Sequence, residues 1–210
     1  MKTRLLCAVA LVIVLAVPSI ARANLLINPG FEDDMQAWGF FGPAGSSSQI
    51  VTGGAYSENK YGQATHVQSG GEAWGGFYQG IYSATPGETI YISGAVKAEA
   101  IEGAATGKIQ LEYCSDLYAQ KALDPSTFLK TDYVDSVGEG WCYLSASGTI
   151  PPDAKSMKLV TLTTAYGGTT ATFGFDELWT DYQPIPEPST LLLLSSGLVG
   201  LMGFVKRKRS

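Results

Sequence analysis

The chain has 210 residues, with 14 lysines and arginines against 19 aspartates and glutamates, a formal charge of −5. Seven of the basic residues lie in two terminal segments. The stretch from Asn24 to Ile185 keeps seven lysines, no arginine and eighteen carboxylates, a charge of −11. That balance argues against nucleic acid, whose binding requires phosphate neutralisation. The stretch also lacks the forked guanidinium donor suited to phosphate and carboxylate ligands, whereas neutral sugars and cations such as calcium carry no such penalty.

Residues 1–23 read as a secretory signal peptide. Lys2 and Arg4 supply a basic start, Leu5 to Val17 an apolar run, and Ala21-Arg22-Ala23 the small residues of an A-x-A cleavage site. The apolar run is short for an uncleaved membrane anchor. Cleavage after Ala23 leaves residues 24–185 as one expected domain, long enough for a single core.

The composition of that domain points to β structure. Gly-Gly pairs stand at 53–54, 70–71, 75–76 and 167–168, and short β-branched or alternating runs lie between turn signals. Strands are expected at Phe77–Tyr82, Thr89–Lys97, Lys108–Tyr113, Gly140–Thr149, Ser156–Thr164 and Thr170–Thr180. Pro86-Gly87, Asp124-Pro125, Pro151-Pro152-Asp153 and Gly167-Gly168 supply the turns. Only 115–130 has room for a short helix, which Pro125 would break. The spacing predicts an all-β, antiparallel two-sheet sandwich, a jelly roll.

Cys114 and Cys142 remain once the signal peptide, with Cys7, is removed. An even pair in an exported chain favours a disulfide over two buried thiols, and closing that loop is worth ~3 kcal/mol in the entropic model.

The mature start, Asn24-Leu25-Leu26-Ile27-Asn28-Pro29-Gly30-Phe31-Glu32 with Trp38 beyond it, resembles the opening of galactose-binding-like jelly rolls of the carbohydrate-binding-module type. Further stretches follow in the same order: Gly75-Gly76-Phe77-Tyr78-Gln79, Ala84-Thr85-Pro86-Gly87-Glu88-Thr89-Ile90-Tyr91 with Ser93, Ala95 and Lys97, Gly140-Trp141, Ser145 to Pro151, and Phe175-Asp176-Glu177-Leu178. The resemblance implies first and last strands lying side by side, joined by a structural calcium with Glu32 and Asp176 as acidic ligands. Hard oxygen donors suit that ion. Glu177 stands where the family has a second aspartate, and the alternative is that Glu32 caps its turn while Asp176 ends a strand.

Such a module would need an aromatic platform, because pyranose C–H faces stack on indole and phenol rings while the hydroxyls seek amides and carboxylates. Trp74, beside glycines, is the leading candidate, with Tyr78, Gln79, Tyr166 and Glu72 completing the site. Trp38, Trp141 and Trp179 adjoin strand signals and read as core. No carboxylate pair sits in a glycosidase-like motif, and His66 has no nucleophile signature beside it, so no catalytic residue is assigned.

The chain ends in Pro186-Glu187-Pro188, an uncharged apolar run over 190–205, and Lys206-Arg207-Lys208-Arg209. Sixteen helical residues span roughly 24 Å, slightly short of a ~30 Å hydrocarbon core, and the basic cluster favours the cytoplasmic side. These three parts resemble the PEP-CTERM sorting signal. The resemblance implies a transmembrane segment at 190–205, an exosortase-type partner that cuts at the motif, and delivery to the surface or matrix of a Gram-negative bacterium; a plain C-terminal anchor is the alternative. The expectation is a non-catalytic domain that binds or organises extracellular polysaccharide. Against it stand a structural or adhesive matrix protein acting through protein contacts, and a polysaccharide hydrolase.

Overall fold

The structure, a computed structural model, describes residues 24–67 and 71–182. The signal peptide with Ala21 and Ala23, the sorting motif Pro186-Glu187-Pro188 and the 190–205 segment lie outside those residues. Among the described residues there are eight strands: β1 (Gly39–Phe41), β2 (Ser47–Thr52), β3 (Lys60–Val67), β4 (Glu72–Ile81), β5 (Thr89–Cys114), β6 (Leu129–Val134), β7 (Cys142–Thr149) and β8 (Ser156–Asp181). All of their pairings are antiparallel. In 115–130 a 3-10 turn, Pro125–Thr127, stands where a helix was possible, and the Asp124 carboxylate caps it by accepting from Ser126 N at 2.8 Å.

β5 and β8 form a ribbon that organises everything else. They pair from Tyr91 opposite Asp181 to Cys114 opposite Ser156. The 157–166 half of β8 also pairs with β4, and the 170–175 half with β3. On the other side of the ribbon, the start of β5 pairs with β7 and its end with β6. The ribbon therefore contributes to two sheets, β1-β4-β8-β5-β6 and β2-β3-β8-β5-β7. These pack face to face. The Phe77 ring of β4 meets Phe175 of the second sheet edge-on at 6.4 Å. A Cβ at Gly107 would lie 2.4 Å from the Phe173 ring. Phe31, Phe77, Ile109, Leu111, Leu159, Phe173 and Phe175 are fully enclosed between the sheets, each worth about 1.5–3 kcal/mol of transfer free energy.

Gly167-Gly168, expected as a turn between two strands, instead lies inside β8 where the ribbon folds over. Both glycines have positive φ, 59° and 80°, which a residue with a Cβ adopts at a cost. The register slips there, between Glu102 and Ala104 on β5. The four strand segments expected at 89–97, 108–113, 156–164 and 170–180 are thus two long bent strands. β1, β2, β3 and β6 went unforeseen because their sequences are short or rich in Ser, Gln, Gly and Thr; β2 alternates between exposed and half-buried positions rather than between solvent and core.

The expected Cys114–Cys142 disulfide is not formed, and both thiols are free. The ladder explains why. Cys114 ends β5 opposite Ser156 in the first sheet, whereas Cys142 lies opposite Val96 in the second. Burial pushes both thiols above their ordinary pKa.

The first residues are tied to the last strand. Asn24 Nδ2 donates to Leu178 O at 2.8 Å, Leu25 N to Thr180 O at 2.9 Å, and Leu178 N to Pro29 O at 3.1 Å. Phe31 then enters the core, stacked on Trp38 at 5.0 Å, and the Trp38 indole donates to Asn28 O at 2.8 Å. Trp38 is core, as its sequence setting implied.

Candidate functional site

The residues assigned to a sugar platform divide between two sides of the first sheet. Glu72 is paired with Tyr166, Trp74 with Thr164, and Tyr78 with Val160. Cross-strand partners share a face, so Glu72, Trp74, Tyr78 and Tyr166 look outward together. Trp74 lies on β4 rather than in a loop and is 57 % exposed; its indole N–H donates to Glu72 Oε1 at 3.3 Å. Gln79 does not join them. It is buried on the other side of β4, where Oε1 accepts from Ile27 N at 2.7 Å and Nε2 donates to Ile27 O at 2.8 Å. Its amide anchors the N-terminal segment.

The second sheet carries a more elaborate outward face, which the sequence did not reveal. Tyr61 and Gln63 come from β3, Lys97 and Glu99 from β5, and Tyr143 from β7. Trp141 precedes β7, and Tyr56 lies in the β2–β3 loop. Glu99 is the hub. Its Oε1 accepts from Tyr61 Oη at 2.6 Å and pairs with Lys97 Nζ at 2.8 Å, and its Oε2 accepts from Gln63 Nε2. The Lys97 ammonium lies 4.9 Å from the ring centroids of both Tyr61 and Trp141, within cation–π range. Tyr56 stacks on Tyr143 at 5.9 Å and meets Trp141 at 6.3 Å. Gly174 leaves room beneath: a Cβ there would lie 3.0 Å from both the Trp141 and Tyr61 rings.

Burial alone would raise the Glu99 pKa, but hydrogen bonds from Lys97, Tyr61 and Gln63 outweigh it and hold the carboxyl below its usual range. Burial, then Glu99, pushes the Tyr61 phenol well above its ordinary value. The hub is therefore a fixed carboxylate among fixed donors, flanked by rings of which Tyr56 and Tyr143 are nearly half exposed. Trp141 was read as core; it is half-buried, with its indole N–H donating to Gly54 O at 3.0 Å.

Glu32 and Asp176 hold the loop that brings Tyr56 to this face. Asp176 Oδ2 accepts from Tyr56 N and Ser57 N at 2.8 and 2.9 Å, and Oδ1 from Glu177 N at 2.7 Å. Glu32 Oε1 accepts from Asn59 N and Lys60 N at 2.9 and 2.6 Å. As placed, these carboxylates do not fit a calcium site. Their oxygens are aimed at amide hydrogens, and among the described residues no three His, Cys, Asp or Glu side chains group as metal ligands. Asp176 is fully enclosed, and burial pushes its carboxyl up to about 6 despite the three amide donors.

His66 is buried over Gly75, and burial lowers its pKa. Ser46 Oγ lies 3.4 Å from Nδ1, so a hydroxyl that the sequence did not suggest is nearby. Nε2 has no partner among the described residues. The arrangement lacks the orienting carboxylate of a nucleophile–base–acid relay.

Several solved structures share this fold. The C-terminal family 22 carbohydrate-binding module of a Clostridium thermocellum endo-1,4-β-D-xylanase aligns with a TM-score of 0.55 at 19 % identity, covering 76 % of this chain and 94 % of the module. TmCBM61, solved with β-1,4-galactotriose, aligns with a TM-score of 0.50 at 13 % identity, covering 77 % of this chain and 99 % of the other. The enzymatically active domain of bacteriophage CBA120 tailspike protein 4 aligns at 0.54 and 12 % identity, but this chain covers only 21 % of it. At these identities the likeness is one of fold: an all-β sandwich of the kind used by carbohydrate-binding modules. No curated protein sequence matches the chain.

Residues 184–209 match the PEP-CTERM protein-sorting motif. The chain thus carries a PEP-CTERM protein-sorting motif at its C-terminus, and its described part is similar in fold to carbohydrate-binding modules.

Proposed function

We propose that the domain is a non-catalytic polysaccharide-binding module that the sorting signal delivers to the envelope surface or extracellular matrix of a Gram-negative bacterium. There it binds or organises the cell's own exopolysaccharide. The observation that carries this reading is the face around Glu99. Rings suited to pyranose C–H faces stand beside a carboxylate, an amide and an ammonium that are already held in place, so little side-chain entropy remains to be lost on binding. The membrane contact is the 190–205 segment before processing, and the acidic chain has no role with nucleic acid.

The test is affinity electrophoresis of the full chain, solubilised in a non-ionic detergent, through gels containing the producing cell's exopolysaccharide or neutral xylan and galactan. Trp141→Ala should weaken retention about tenfold or more, the cost of losing a stacking ring of ~1.4 kcal/mol. Retention that Trp141→Ala leaves unchanged refutes the assignment. Self-association without any glycan would instead identify an adhesive matrix protein, and release of reducing sugar a hydrolase.

A further inference from the structure

The outward face of the first sheet carries two lysines, Lys108 and Lys130, that form no ion pair among the described residues. Cross-strand pairing sets its rows. Tyr78, Val160, Gln110 and Lys130 form one row; Leu162, Lys108 and Tyr133 the next; Trp74, Thr164 and Thr106 the third. Lys108 and Lys130 thus sit in adjoining rows on neighbouring strands. The aromatic rings of β4 lie across β8 from Lys108, about 10 Å away at two strand spacings.

Neither lysine has a carboxylate within ion-pair reach among the described residues. The three ion pairs present are Lys60–Asp34, Lys97–Glu99 and Lys158–Glu112. Glu112, the acid nearest in the rows, is engaged by Lys158 at 2.8 Å and by Gln110 at 3.2 Å. Lys108 is half-buried; burial first, and the Lys130 charge second, hold its pKa below the ordinary value, with Glu72 opposing. Eighteen carboxylates are available in this domain, yet two cations are set side by side with none in ion-pair contact among the described residues. That arrangement costs free energy which the fold does not recover internally and an incoming anion would.

The rings are equally prepared. Tyr78 lies over Gly39, where a Cβ would come within 2.4 Å of the ring, and it meets Phe41 edge-on at 6.2 Å. Trp74 is steered by Glu72. Between rings and lysines the side chains are uncharged: Val160 and Thr164, both buried, and Leu162 and Thr106, half-buried.

We propose that this face is a second glycan site, distinct from the Glu99 face, and that it takes an acidic polysaccharide, with Lys108 and Lys130 receiving sugar carboxylates while Trp74 and Tyr78 stack on pyranose rings. It rests on the polysaccharide-binding reading only for the class of polymer, and its residues are all different. A domain with two such faces, one on each sheet, joins an acidic chain to a second polysaccharide.

The probes are polygalacturonate and the same polymer with its carboxyls methyl-esterified, titrated calorimetrically into the full chain in non-ionic detergent. Wild type should bind polygalacturonate with an affinity that falls as salt is added, and should bind the ester more weakly. Lys108→Gln/Lys130→Gln should lose about tenfold or more on polygalacturonate, as expected for lost charged hydrogen bonds, and nothing on the ester. Trp74→Ala should weaken both. Circular dichroism and Tm matching wild type confirm that the variants fold. Polygalacturonate that does not bind wild type, or binds the double variant equally well, overturns the proposal. So does polygalacturonate binding lost in Trp141→Ala and kept in the lysine variant, a result that leaves the Glu99 face standing. Conversely, lysine-dependent polygalacturonate binding with no neutral glycan retained supports this face and refutes the other.

Discussion

Asp176 offers a direct test of how the aromatic loop is held. Its carboxylate is fully enclosed under the 54–58 segment and accepts three backbone amides. Two effects compete: burial raises the pKa and the amide donors lower it. Burial wins, moving the group from 3.8 to about 6. A carboxyl that holds its proton more tightly when folded stabilises the fold in acid. That contribution is complete below about pH 4 and is lost as pH rises through about 6. Roughly two pKa units correspond to ~3 kcal/mol. Asp176→Asn removes the titration while keeping the shape. Urea unfolding of both proteins across this range should show the stability of wild type, relative to the variant, falling by ~3 kcal/mol from acid to neutral pH. A difference independent of pH would mean that the amide donors match burial, one rising with pH that they outweigh it, and either would refute the argument.

Two further outcomes follow from the same region. Gln79→Ala should destabilise the domain by about 2 kcal/mol, since both Ile27 backbone groups lose their partner; chemical denaturation measures it, and neutral-glycan affinity should hold. Calcium added in excess, or removed with a chelator, should leave Tm unchanged, because Glu32 and Asp176 are occupied by amides; a calcium-dependent rise in Tm would show that the loop rearranges around an ion.

The parts of this protein legible in its sequence are those written locally. The sorting motif is contiguous. The β-branched runs of β5, β7 and β8 alternate as strands do. Trp74, next to Gly75-Gly76, is exposed as that setting suggested. The Glu99 face was illegible because no segment contains it: Tyr61, Lys97, Glu99 and Trp141 meet only through the β3–β8–β5–β7 register, and each alone reads as an ordinary strand residue. Cys114 and Cys142 mislead for the same reason, since their separation is set by a ladder that sequence spacing does not encode. Glu32 and Asp176, expected as calcium ligands, both accept amide hydrogens of the 56–60 loop, a long-range contact that no local motif spells out. Gln79 failed by one position: the period of two along β4 turns it away from Trp74 and Tyr78.

The chain leaves the described domain just after Asp181, the last residue of β8; there β8 is paired with β5 on one side, β3 reaching only to Phe175, and is bonded to the 24–29 segment on the other. Any tension on residues 183–210, from a membrane or from bound polymer dragging in flow, therefore enters along the axis of a strand held on both sides. Ladder hydrogen bonds run perpendicular to that axis, so the pull shears many at once instead of peeling them singly. The adjoining bonds from Asn24 and Leu25 stiffen the same end. The geometry suits a tether: the domain resists being drawn out by its own leash.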